Sequence, residues 1–166
     1  MTYATATDLL DRFAAEEIAQ RADRSIPRLV TAPMLVTAAA GGSLAAYTAD
    51  EQAAVAAVLV SLNQALADAD SDIDGYVATR YSVPLTPVPA VITRLACDLA
   101  RYYLYDDQAT ETIQKRRDSA QAVLRDISAG KVSLGDPAAP AAPQGGTVEI
   151  SGPARVFGRD VNGGLG

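Results

Sequence analysis

The chain has 166 residues, a formal net charge of −6 and no histidine, with nearly half its residues apolar and only 5% aromatic. That length suffices for one domain with a real core and an appendage. The missing histidine removes the commonest general base and zinc ligand, and the acidic balance argues against a dedicated nucleic-acid binder. The alanine- and leucine-rich composition favours helix over sheet.

In chain order, Thr5 or Thr7 can cap a first helix, with Asp8 at its positive end and Leu9, Leu10 and Phe13 on its apolar face. Glu16 to Arg21 reads as a second short turn or a continuation. Residues 25–47 contain two prolines, a Gly-Gly pair and no charge after Arg28. They read as an irregular or β-like segment whose apolar character makes it pack on the body or on a neighbour.

Thr48 and Glu51 form a capping box that starts a long helix. Val55, Leu59, Leu62, Leu66, Ala69, Ile73 and Tyr76 then recur at intervals of four and three, which is one continuous helical stripe. Asp70, Asp72, Asp74 and Gly75 within it also match the opening of an EF-hand calcium loop. The twelfth loop position, a bidentate Glu in such sites, is Tyr81, and a helix cannot wrap these carboxylates around one ion. The helix is therefore preferred. Asp68, Asp70, Asp72 and Asp74 become its solvated flank, and no metal or other cofactor is expected.

Pro84, Pro87 and Pro89 end the long helix and force a connector. Pro89 leads into a helix with Ile92, Leu95, Ala96, Leu99, Tyr102 and Tyr103 on its buried face. Arg94, Asp98 and Arg101 are spaced to pair with one another on the opposite side. Cys97 lies in an apolar run and reads as a buried small hydrophobe, since no histidine is present to activate it. Asp106, Asp107 and Thr110 interrupt the chain, and a last helix puts Ile113, Ala120, Leu124 and Ile127 on one stripe and stops at Gly130. Lys115, Arg116 and Arg117 read as an exposed face supported by a Glu111–Lys115 pair, not as a phosphate site. Tyr102, Tyr103 and Tyr105 read as core and rim residues, not as base-stacking platforms. With no phosphate loop or nucleophile motif visible, an enzyme is not expected.

The expected fold is all-α: a small helical bundle over residues 1–135 with a long central helix and the 25–47 insertion. A Pro/Ala/Gly linker follows at 136–146. An extended arm, 147–166, is too small to fold alone and carries Arg155, Val156, Phe157 and Arg159 as candidate partner-binding residues. The N-terminus lacks a basic-then-apolar leader, and no uncharged window of about 18 residues reads as a membrane span, so no membrane partner is expected.

The ordered set DADSDIDGYVATRY, the proline connector, ITRLACDLARYYLYDD and LRDISAGKVSLG resembles the neck proteins of tailed bacteriophages, the Mu-like head–tail connector or adaptor family. ATATDLLDRF at the start and SGPARVFGRD at the end are similar to the family's termini. The resemblance implies a ring of twelve copies at the virion neck, assembled from the host cytoplasm beneath the portal. The ring would meet the next neck or tail-completion protein and let DNA pass as cargo. It implies that the arm around Ser151 to Asp160 docks on the portal or a neighbouring subunit. Aspartates 68, 70, 72 and 74 would then be candidates to face the lumen and repel DNA. In members of the family the first helix is expected to join the long helix briefly, so 25–47 stands out as an insertion. The alternative is a cytoplasmic helical binding or regulatory module whose arm recognises one partner.

Overall fold

The computed structural model describes residues 2–135; the linker and arm lie outside the described residues. Six α-helices follow in order: α1 (Ala6–Arg12), α2 (Ala15–Ala22), α3 (Ala32–Ala39), α4 (Ala49–Val77), α5 (Ala90–Tyr105) and α6 (Glu111–Ser128). A single 3-10 turn, Asp106–Gln108, separates the last two, and no strand occurs among the described residues. The fold is all-α, built around one long helix.

Each helix boundary has a local cause. Thr5, not Thr7, caps α1: its hydroxyl accepts from the Asp8 amide while the Asp8 carboxylate accepts from the Thr5 amide. Thr48 and Glu51 do the same for α4, and those hydrogen bonds hold the exposed Glu51 carboxyl below its ordinary pKa. At the end of α6 the Lys131 amide reaches the Asp126 carbonyl and the Gly130 amide reaches Ile127. That is a Schellman motif, and it needs the positive φ of 77° that Gly130 adopts.

The segment 25–47 differs from the irregular or β-like reading. It contains α3, on which Met34 and Leu35 are buried. Pro33 sits in the first turn, where its missing N–H costs nothing, and the alanines that follow are the best helix formers. A helix of eight residues with no charge and two β-branched positions gives little periodic signal, so packing decided it.

The α4–α5 pair forms the centre of the bundle, with α6 against both and α1–α3 packed around the rest. Most of the predicted stripe lies on the buried face of α4: Val55, Leu62, Leu66, Ala69 and Ile73 are buried and Leu59 and Tyr76 half-buried, while Val58 and Val77 complete the face. Every residue from Leu95 to Ala100 on α5 is buried, which makes α5 the core helix. α4 is long and apolar enough to cross a membrane by length and composition. Its stripe instead meets its neighbours in the bundle, and four aspartates occupy its last turns.

Candidate functional site

Three features of the folded domain carry its polar chemistry: the aspartates of α4, a latch between α2 and α5, and a turn between α2 and α3.

The α4 aspartates serve the fold more than the surface. Asp70 is buried and accepts the Tyr3 amide at 3.1 Å. Burial pushes its carboxyl above the ordinary value, although the Tyr3 hydrogen bond opposes the shift. Asp74 accepts the Tyr3 hydroxyl, and the same oxygen receives the Leu85 amide at 3.2 Å. Tyr3 thereby ties the N-terminus to α4 and the proline connector. Burial, followed by the bond to Asp74, raises its phenol to about 12. Asp72 accepts the Tyr103 hydroxyl from α5, and burial raises that phenol as well.

Only Asp68 is fully exposed, with a hydrogen bond from Gln64 at 3.0 Å. The reading of all four as a solvated flank is corrected: Asp68 is exposed, Asp70 is buried, and Asp72 and Asp74 are half-buried and occupied by tyrosines. A helical stripe cannot show that tyrosines from distant segments will reach its flanks. The EF-hand reading ends here as well, because Asp70 to Gly75 lie inside α4.

The latch centres on arginines. Arg21, at the end of α2, donates through Nε to the Leu104 carbonyl at 3.0 Å and through its two terminal nitrogens to the Tyr105 carbonyl and to Gln108. A cation on the last carbonyls of α5 satisfies groups a helix end leaves bare. Arg101 joins Glu17 at 2.6 Å and lies over the Phe13 ring at 4.4 Å, while the Tyr105 hydroxyl donates to the same Glu17 oxygen at 2.7 Å.

The pairing predicted within α5 is therefore corrected. Asp98 is buried and pairs with Arg116 of α6 at 3.4 Å, and Arg101 pairs with α2. Spacing along one helix says nothing about neighbours that offer shorter reach. Lys115 pairs with Glu111 at 2.6 Å as expected. Lys115 and Arg116 are exposed as expected, while Arg117 is half-buried and lies over the Tyr102 ring at 4.5 Å. Cys97 is buried, and burial raises its thiol to about 11.

The third feature had no place in the sequence reading. Asp23, at the end of α2, is buried and organises the turn that follows. Its carboxylate accepts the Ser25 amide at 2.8 Å, the Ser25 hydroxyl at 2.5 Å, and the Leu29 and Val30 amides at 2.8 Å each. Burial would raise this carboxyl, but the hydrogen bonds from Ser25, Val30 and Leu29 outweigh it and hold it below the ordinary range. The turn presents Ile26 at 99% exposure between Arg24 and Arg28, both exposed. The available signal was an aspartate two residues before a serine at a helix end, an Asx-turn pattern.

On another side of α4 a cleft of about 360 Å³ opens between the N-terminal segment, α3 and α4. Alanines 4, 6, 38 and 39 with Leu59 and Leu66 line it, and Thr5 and Asn63 stand among its polar residues. Arg155, Val156, Phe157 and Arg159 lie outside the described residues.

A family described as Bacteriophage Mu, Gp36 matches residues 3–151. The chain belongs to this family. The matched range includes the 25–47 segment and ends at Ser151, before most of the SGPARVFGRD motif. Two relatives are similar over shorter stretches. Gene product J of Escherichia phage Mu is 37% identical over 102 residues, 60% of this chain and 72% of that protein. The Mu-like prophage FluMu protein gp36 of Haemophilus influenzae is 38% identical over 74 residues, 45% of this chain. The chain spans 52% of the length of that relative.

Proposed function

We propose that this chain is a structural, non-enzymatic virion protein: a head-to-tail adaptor that forms a ring under the portal of a Mu-like phage. In this role it bridges the portal to the next neck or tail-completion protein and lets DNA pass. The observation that carries the reading is the outer face of α4 in a member of a Mu phage family. Residues 52–67 hold no charge, and Ala53, Ala56, Ala57, Val60 and Ala67 on that helix are exposed. Small residues on an exposed helix face let a second protein surface approach closely, while the polar groups around Asp70, Glu17 and Asp98 are consumed inside the fold. The arm residues Arg155, Val156, Phe157 and Arg159 are proposed as the portal contact, and Asp68 remains the candidate for a lumen-facing acid.

The test is genetic and structural. Particles from phage carrying a tagged copy are imaged by electron cryomicroscopy, alongside phage whose copy ends before residue 147. The reading expects tagged density between head and tail, and full heads without joined tails for the truncation. Complete, infectious particles from phage lacking the chain would refute it.

A further inference from the structure

Ile26 and Val60 are the two most exposed large apolar side chains among the described residues, at 99% and 69%. One such residue is ordinary on a protein surface. These two share a neighbour: Arg24 lines one hollow with Ile26 and a second with Val60. Arg21 lines both hollows as well, so the two, of about 460 and 330 Å³, adjoin as one trough along the α2–α3 turn and α4. The turn is fixed beforehand, because the buried Asp23 carboxylate holds it with four hydrogen bonds. A contact loop held in one conformation loses less entropy on binding.

The charges of the first hollow do not balance. Arg21, Arg24 and Arg28 line it, against Asp23 and Asp106. Three cations against two anions leave one positive charge unmatched. Arg21 spends donors on the end of α5 and on Gln108, and Asp23 is spent on the turn. Arg24 and Arg28 are exposed and have no ion pair among the described residues. Arginine is the side chain best suited to take a carboxylate at an interface.

The second hollow sets the other limit. Asp68 lines it beside Val60, so this end repels further acid. A nucleic-acid strand, with a phosphate at every residue, would meet both Asp68 and Asp106. An anionic membrane would meet the whole chain's charge of −6. A segment with a single carboxylate among apolar side chains meets neither obstacle.

We infer that this trough docks an apolar segment of another protein carrying one carboxylate. The carboxylate lies against Arg24 and Arg28, and its apolar neighbours cover Ile26 and Val60. The inference does not rest on the adaptor reading and holds whatever assembly the chain enters.

The experiment is calorimetric titration of the purified full chain with a capped heptapeptide, Ser-Leu-Val-Glu-Leu-Val-Ser, and with its counterparts carrying Gln or Lys in place of Glu. The wild type should bind the Glu peptide with a Kd of about 100 μM or tighter, and more weakly as salt rises. The Gln peptide should bind at least about tenfold more weakly. The double variant Arg24→Glu, Arg28→Glu should lose the Glu peptide to the same degree and gain the Lys peptide, a reversal that a misfolded chain would not give. Ile26→Ser should weaken the Glu peptide by about fivefold or more. All three positions are exposed, so melting temperature should match wild type. Oligothymidylate, and vesicles of equal parts phosphatidylcholine and phosphatidylserine, should bind more weakly than the Glu peptide. A wild type that ignores the Glu peptide or does not distinguish it from the Gln peptide, or a double variant that binds as wild type does, would overturn the inference. So would tighter binding to the oligonucleotide or the vesicles. Self-association in sedimentation that the double variant abolishes would overturn it too, by making the occupant a second copy of this chain.

Discussion

Replacing Asp23 with alanine tests whether one carboxylate holds the turn that carries Ile26. The residue is 5% exposed and accepts four hydrogen bonds, three of them from backbone amides. A hydrogen bond to a charged acceptor contributes about 1.5–3 kcal/mol, and leaving a buried donor unpaired costs about 1–3 kcal/mol. The four are not additive, because the turn relaxes as a unit and its exposed amides recover water. The buried Val30 amide has no such recourse. Asp23→Ala should therefore cost about 3 kcal/mol, a drop in melting temperature of about 10 °C for a domain of this size. Asp23→Asn, which keeps one oxygen acceptor, should lose about half as much.

The sign of the pH dependence follows from the lowered carboxyl. The native state holds this group ionised more strongly than the unfolded chain does. Its contribution is present above the unfolded carboxylate pKa and lost as pH falls through the lower folded one. The gap between wild type and Asp23→Ala should stay constant from pH 7 to about pH 4 and close below that. Thermal unfolding followed by far-ultraviolet circular dichroism reads both effects. An alanine variant that melts within about 2 °C of wild type at pH 7 would show that the carboxylate does not hold the turn.

Asp70→Asn should be neutral or stabilising at pH 7: Asp70 has a raised folded pKa, so stability falls as pH rises through the carboxyl range, and a flatter profile for the amide in urea titrations would confirm that sign. Leu62→Ala, at a fully buried position in the α4 stripe, should cost about 2–5 kcal/mol by urea unfolding; under 1 kcal/mol would mean the stripe is not the core face. Cys97 should resist a thiol reagent at pH 8 in the native protein and react fully in guanidinium, since burial raises its thiol to about 11; rapid native labelling would contradict its placement.

The long helix was legible because its signals agree: a capping box at Thr48, a stripe of unbroken period and prolines beyond Tyr81. The same holds for the Gly130 stop and the burial of Cys97. The site was less legible. Asp70 and Asp98 look like surface acids in sequence, yet both are buried, because the partners that satisfy them come from the N-terminus and from α6. α3 was missed because its helicity rests on burying Met34 and Leu35 against other helices.

The sequence by itself determined the helical class, four of the helices in outline, the family resemblance and the absence of histidine chemistry, since these depend on composition and on interactions within a few residues. Tertiary structure alone decided which acids face water, which arginines are free and that Ile26 stands fully exposed on a turn fixed from beneath. Those outcomes depend on groups up to 88 positions apart, as Glu17 and Tyr105 are, and spacing along one helix cannot report on such pairs.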